Sequence, residues 1–369
     1  MKTKNLGIYI HVPFCKSKCP YCDFYSVVPS QTEKYFQKVC TEIERWGRVL
    51  SDRIVNTIYF GGGTPSLLEC DNICDILNAI YNNFKISNNK IEITIEINPA
   101  DYKLIDFEKL KFHGVNRISV GAQSLNDSEF KTLGRRHNVE DIFSTYNQIK
   151  ESGIKNISFD AILGIPNQTQ KSIDDFLNFC KYNQISHISA YLLKIEEGTQ
   201  FYKNQKTLNF PSEDESAEIY MHVCEVLKKC GYNHYEISNF SVPGFESQHN
   251  LKYWNLDEYL GIGPSAHSLI NNARFCYSNN INKFINHSEI LSEGKFEPEK
   301  EYAMLRLRLF DGLKNELYRK KFGKDIPEIY SEKTQKYNNL GLIECNNVEI
   351  RLTEKGFLLS NAIISDILM

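Results

Sequence analysis

The sequence predicts an α/β protein: six β/α units that suit an open, partial (β/α)6 barrel, followed by a small α+β domain of winged-helix type. Three observations predict it. Short β-rich runs alternate with amphipathic helical stretches up to about residue 200, and such alternation makes βαβ units and a parallel sheet. The residues with chemical potential fall just after those runs, where an α/β fold gathers its ligands. From about Glu299 the alternation gives way to helices followed by a hairpin pattern. Six units are too few to close an eight-stranded barrel. A doubly wound sheet is the competing architecture, and periodicity alone leaves the two open.

In chain order the strand candidates are "GIYIHV" (7–12), "TIYFGG" (57–62), "EITIEI" (92–97), "RISVGA" (117–122), "NISFDAI" (156–162) and "HISAYLL" (187–193). Between them run helical patterns such as "TEKYFQKVCTEIERWGRVL", "LECDNICDILNAIYNNF" and "NVEDIFSTYNQIKESG", the last stopped by Gly153. Residues 200 to 298 read as irregular, rich in aromatics and turn formers. After them come "EKEYAMLRLRLFDGL", "LYRKKFGKDIPEIYSEKTQKYNNLGLIE" and "NNVEIRLTEKGFLLSNAIISDIL", which suggest helices, a hairpin and a final helix. The expected division is a barrel over 1–200, a barrel extension over 201–298 and a C-terminal domain over 299–369.

Bulk properties narrow the function. The chain has 369 residues, 41% hydrophobic and 24% charged, which fits an ordinary globular protein of more than one unit. A formal net charge of -3 argues against a general affinity for nucleic acid or anionic membrane. The opening "MKTKNLGIYIHVP" does not read as a signal peptide, because no small-residue cleavage site follows its lysines. Three of the eleven cysteines cluster and eight are scattered, from Cys40 to Cys345, as expected of thiols in the reducing cytoplasm.

The cluster is "HVPFCKSKCPYCDFYS", residues 11–26, with Cys15, Cys19 and Cys22 spaced C-x3-C-x2-C. A structural zinc site wants four closed ligands, usually from two separated pairs, and no later Cys/His pair has matching spacing. His11 is a conceivable fourth ligand, but it lies within the first strand candidate. Soft thiolates at short spacing favour an iron–sulfur cluster. Three ligands on a four-iron cubane leave one iron open to a small molecule, so the missing ligand is itself the functional feature; zinc is the lesser alternative. "YFGGGTPS" (59–66) adds a glycine turn, Gly61-Gly62-Gly63, that lets backbone approach a ligand closely. Strand alternation puts Glu96 within reach of the same space, although an exposed strand-end carboxylate is its plainer reading from the residues alone.

C-x3-C-x2-C resembles the signature of the radical S-adenosylmethionine (SAM) superfamily, in which the methionyl amine and carboxylate of SAM fill the open iron. "IYIHVPFC", "YFGGGTPS", "IEINP", "RISVGAQS", "LGRRH", "FDAILGIPNQT" and "HISAYLLKIEEGT", in that order over residues 7–200, resemble one branch of it. That branch holds oxygen-independent coproporphyrinogen dehydrogenase (HemN type) and haem chaperones of HemW type. The resemblance implies a radical-SAM barrel, a [4Fe-4S] cluster on Cys15, Cys19 and Cys22, and SAM near Tyr9, Gly62 and Glu96. Tyr21, Gly63, Thr64, Gln123, Arg135 and Asp160 match the lining of a second SAM-like pocket in the dehydrogenase. Lys194 falls where that enzyme has a small residue.

Two departures separate the branches. The dehydrogenase motif continues to a further cysteine, where this chain has Phe24, and its longer N-terminal arm has no counterpart in the fourteen residues before Cys15. "HNLKYW" (249–254), in contrast, resembles the H-N-x-x-Y-W signature of the haem chaperones. It implies haem binding with His249 as an iron ligand and Tyr253 and Trp254 against the porphyrin; a structural aromatic corner beside the barrel mouth is the plainer reading. His267 in "GPSAHS" is a further candidate for the barrel top. The resemblance thus implies a chaperone that binds haem and passes it to an acceptor such as a respiratory haem protein, any membrane contact being made through that acceptor. The rival is a dehydrogenase that decarboxylates the propionates of coproporphyrinogen III; a radical-SAM enzyme for another small molecule is the third.

Overall fold

The computed structural model describes residues 4–89 and 91–369; Met1–Thr3, part of the opening stretch read for a signal peptide, lie outside the described residues. The six strand candidates form β1 (Lys4–Val12), β2 (Arg53–Gly62), β3 (Glu92–Ile97), β4 (Arg117–Gln123), β5 (Asn156–Leu163) and β6 (His187–Leu192). Each pairs in parallel with the next. The spatial order β1 to β6 never reverses. A doubly wound sheet must reverse its order at a switch point, so the sequential order decides for the barrel.

Alternation within the strands sets what the barrel holds. In β4, Ile118, Val120 and Ala122 are fully buried on the outer face, and Ile58 and Phe60 of β2 and Phe159 of β5 do the same. They pack under the helices, among them α1 (Thr32–Val49), α2 (Cys70–Asn83), α3 (Val139–Glu151) and α4 (Gln170–Tyr182). At about 1.5–3 kcal/mol per buried aliphatic or aromatic side chain, this outer layer supplies most of the stability. The opposite set, Tyr59, Glu96, Arg117, Ser119 and Asp160, faces the lumen, which is therefore polar. Helix starts are locally encoded: Asn138 with Asp141 caps α3 and Thr169 with Ser172 caps α4, each as a reciprocal capping box.

Residues 200–298 correct the expectation of irregular structure. They contain α5 (Glu213–Lys229), β7 (Asn233–Glu236), β8 (Asn239–Ser241), α6 (Gln248–Trp254), β9 (Tyr259–Ile262), β10 (His267–Ile270), β11 (Ala273–Tyr277) and β12 (Ile290–Ser292). β9 adds a seventh parallel strand on the outer side of β1. The sheet then runs β12, β11, β10, β9, β1 to β6, β8, β7, with the two-residue strand Lys85–Ile86 on β2. Strands of three to five residues are too short to show a period, so their turns dominated the sequence pattern.

The C-terminal part has helices Pro298–Arg306, Asn315–Phe322 and Glu328–Asn339, then a hairpin and the helices Glu354–Leu358 and Ser360–Leu368. The hairpin strands β14 (Ile343–Cys345) and β15 (Glu349–Leu352) pair with β13 (Leu313–Lys314) in the order β13, β15, β14. Backbone bonds from Ile237 N–H to Arg308 O (3.0 Å) and from Phe310 N–H to Tyr235 O (3.0 Å) attach this part to β7 and the turn after it. Among the described residues, no helix is long and apolar enough to cross a membrane.

Candidate functional site

The cysteine loop leaves β1 at Val12 and is closed at its base, where Val27 N–H donates to Pro13 O (2.8 Å) and Cys15 N–H to Val27 O (3.0 Å). Phe14 anchors the start of the loop, fully buried and edge-on to Tyr35 at 5.1 Å. A charged tie holds the middle: Asp101, fully buried, accepts from Lys16 Nζ (3.1 Å) and Arg136 Nη2 (2.9 Å). Cys15, Cys19 and Cys22 are half-buried free thiols, and all three line one cavity of about 560 Å³ that runs down the lumen. Cys15 Sγ lies 3.4 Å from Thr64 Oγ1. Arg135 reaches Cys19 Sγ (3.9 Å) and Tyr21 Oη (3.5 Å) with one nitrogen and Gly121 O (2.6 Å) with another.

The glycine turn sits directly under this loop. A Cβ on Gly63 would stand 2.8 Å from the backbone oxygens of Val12 and Phe14, so only glycine lets β2 pass this close beneath the cysteines. Gly62 has φ +108°, a conformation that side chains rarely adopt, and its N–H donates to Glu96 Oε2 at 3.3 Å. Tyr59 Oη donates to the other oxygen of Glu96 at 2.7 Å. Opposite, Asp160 accepts from Ser119 (3.3 Å) and Ser158 (3.5 Å). Gln123 closes β4 at φ +71°, where the pairing with β5 shifts register. Gly62, Gly63, Thr64, Glu96, Gln123 and Asp160 line the cavity, as do Tyr21 and Arg135. Lys194 lies at the rim, 74% exposed, and pairs with Glu196 at 2.6 Å rather than reaching inward.

Burial raises the Glu96 carboxyl to about 7, the hydrogen bond from Tyr59 opposing the rise. The sign of the linkage follows. Between the ordinary value of 4.5 and about 7 the folded state holds a proton that the unfolded state has released, so stability falls as pH rises across that window and levels above it. Denaturant unfolding of the cluster-free protein at a series of pH values is expected to show this slope. Glu96→Gln should flatten it, and an unchanged slope would show that Glu96 is ionised throughout.

The residues expected at haem are placed differently. Helix α6 crosses the N-terminal ends of the strands, where the Glu92 carboxylate accepts from the N–H groups of Gln248 (3.0 Å) and His249 (2.9 Å). His249 is fully buried and spends both ring nitrogens, Nδ1 on Thr57 Oγ1 (2.9 Å) and Nε2 on Tyr253 Oη (2.8 Å). Desolvation lowers it to about 3, so it is neutral. Tyr253 packs edge-on to His249 and Tyr259, and Trp254 ends the helix half-buried. This geometry corrects the placement beside the barrel mouth: the HNLKYW helix is the floor of the barrel, with both ring nitrogens of His249 hydrogen-bonded there. Tyr9 pairs with Tyr59 across β1 and β2 and so shares its lumen face, its hydroxyl 3.0 Å from His11 Nδ1 and its ring 6.1 Å from that of Tyr59. His11 Nε2 is bonded to Tyr25 O and Nδ1 faces the Tyr9 hydroxyl, so both ring nitrogens are engaged away from the thiols. His267 stands outside the cavity, 55% exposed, with Nδ1 2.7 Å from Glu293.

Sequence reading missed Tyr59, Arg117, Ser119 and Ser189 in the cavity, and Asn250, which enters it from the floor. Alternation could have found the first four, because each lies an even number of positions from a residue already placed in the lumen or shares its strand face. Asn250 carries no such signal.

The thiols fit a multi-iron cluster better than one ion. Among the described residues, the three-ligand group whose donor atoms all lie within 4.8 Å of one another is His267, Cys276 and Glu293, not Cys15, Cys19 and Cys22. Tetrahedral zinc needs its sulfurs drawn onto one point, whereas a cubane takes each thiolate on a separate iron.

Comparison with known proteins agrees with this geometry. Residues 9–180 match the Radical SAM superfamily and residues 298–359 the HemN C-terminal domain. The chain is 32% identical to "Heme chaperone HemW" of Lactococcus lactis, covering 100% of this chain and 99% of the relative. It is 30% identical to the protein of the same name from Bacillus subtilis, over 96% and 97% of the two chains. Among solved structures, coproporphyrinogen III oxidase (HemN) from Escherichia coli superposes with a TM-score of 0.82 at 20% identity, covering 99% of this chain and 90% of that one. The superposition establishes a shared fold.

Proposed function

The chain belongs to the HemW family of the radical SAM superfamily, and from that premise we propose that it is a haem chaperone. It binds haem, holds a [4Fe-4S] cluster on Cys15, Cys19 and Cys22 with SAM on the open iron, and passes haem to an acceptor protein in the cytoplasm or at a respiratory complex. The observation that carries the reading is the end-to-end likeness to proteins named as haem chaperones. Phe24 supports it: where the dehydrogenase motif continues to a further cysteine, this chain presents a phenyl ring that is 69% exposed.

When bound, the cluster supplies an iron with an open coordination position and a source of single electrons. The chain's own residues bind and orient. Glu96, fixed by Tyr59 and Gly62, is set to accept from an ammonium or ribose hydroxyl at the mouth. Arg135 places its guanidinium beside Cys19 Sγ, at the edge of the cluster site. Gly63 keeps the loop and the floor of the SAM site in contact. Asp160 and Gln123 extend the polar wall towards a second ligand. His249, hydrogen-bonded to Thr57 and Tyr253 at the floor, would hold α6 in place there.

The dehydrogenase reading draws on the fold shared with HemN. One experiment separates the two: anaerobic incubation of the cluster-loaded protein with SAM, reductant and coproporphyrinogen III, beside a haem titration. Stoichiometric haem uptake without turnover is the expected result. Accumulation of protoporphyrinogen IX would replace the chaperone reading with the enzymatic one.

A further inference from the structure

Arg117 is the largest side chain in the fully buried set, 1% exposed, yet its guanidinium Nε and Nη1 have no hydrogen-bond partner. It is the first residue of β4 and shares the lumen face with Ser119, Gly121 and Gln123, so it lines the lower part of the cavity whose mouth carries the cysteines. The carboxylates nearest in charge are already engaged. Glu92 accepts two backbone N–H groups of α6, and Asp160 accepts from serines. A buried cation without a direct partner is costly, and a chain that keeps one at the base of an open chamber has a use for it there.

We propose that Arg117 is the anchor for an alkyl carboxylate that reaches the lower lumen, borne by a tetrapyrrole propionate or by the methionyl end of a second SAM, other than the one on the open iron. Two features select this chemistry. A guanidinium offers planar, paired N–H donors that match a carboxylate, which a lysine in the same place would not. Ser119, Ser189 and Asn250 line the same cavity and the Asp160 carboxylate, held by serines, faces it, leaving the unbonded nitrogens of Arg117 to take a carboxylate at that end. The inference rests on the proposed function, since it names what the same cavity receives.

The test uses the full chain, cluster-loaded under anaerobic conditions, as wild type, Arg117→Met and Arg117→Lys. Four probes are titrated: haem, haem dimethyl ester, SAM and decarboxylated SAM. The wild type is expected to prefer the acid in at least one pair, and Arg117→Met to lose that preference by about 10- to 100-fold. Arg117→Lys keeps the charge without the fork and is expected to fall between them; it carries the test if Arg117→Met does not fold. The pair that loses its preference identifies which molecule bears the carboxylate. The ligand-free Arg117→Met protein is expected to melt close to the wild-type temperature, because the guanidinium nitrogens that it removes make no hydrogen bond; a purely structural arginine would lower it. Acid-to-neutral ratios unchanged by Arg117→Met in both pairs would overturn the assignment while leaving haem and SAM binding intact. A wild type that binds none of the four probes would overturn both it and the proposed function.

Discussion

Cys15→Ser, Cys19→Ser and Cys22→Ser are each expected to leave a folded protein that retains almost no iron or sulfide after anaerobic reconstitution. Changes to residues that merely orient a metal ligand already cost about 10- to 100-fold in metal affinity, so loss of a ligand should cost at least that much. The fold should survive, because the loop is held by contacts that do not involve the thiols: the backbone bonds at its base, Phe14 in the core, and the Lys16–Asp101–Arg136 tie. Cys40→Ser and Cys230→Ser, free thiols outside the loop, serve as controls with iron content unchanged. Iron and sulfide analysis with far-ultraviolet circular dichroism reads both halves of the prediction. Full iron retention in all three variants, or zinc in place of iron in the wild type, would sink the cluster assignment.

The second large effect is structural. His249→Ala is expected to destabilise the protein by about 3 kcal/mol, a sizeable share of the 5–15 kcal/mol that holds a typical domain. The substitution leaves Thr57 Oγ1 and Tyr253 Oη unpaired under the barrel and removes a ring stacked 5.1 Å from Tyr59. Tyr253→Phe loses one hydrogen bond without a cavity and should cost about 1 kcal/mol. Denaturant midpoints measure both. Haem uptake by His249→Ala should fall only with the fraction unfolded. A variant that keeps the wild-type midpoint yet no longer takes up haem would restore His249 as the iron ligand.

These two outcomes mark where local sequence sufficed and where it did not. The cysteine loop was legible because its chemistry is written in adjacent residues: spacing alone separates an open trio of thiolates from a closed zinc set. Glu96 was legible in part: a strand's period of two allowed the inward face, and the family resemblance, not the period, favoured it over an exposed strand end. The HNLKYW motif was legible as a string and misleading as a place. Its residues looked like a haem platform, but a carboxylate more than 150 residues away, Glu92, captures the N-terminus of the helix and turns His249 inward. Arg117 escaped notice for the complementary reason. An arginine opening a strand is unremarkable until the sheet curls round it and removes its solvent.

By itself the sequence determined the six barrel strands, their alternation, the capping of the helices and the three thiolates after the first strand. All of these depend on contacts within a few residues or on the periods of helix and strand. Only the tertiary structure decided the order of strands around the barrel, the seventh parallel strand, the use of α6 as a floor and the unpaired charge above it. Those depend on which distant polar groups meet inside a closed space, where desolvation makes each meeting, or its absence, count.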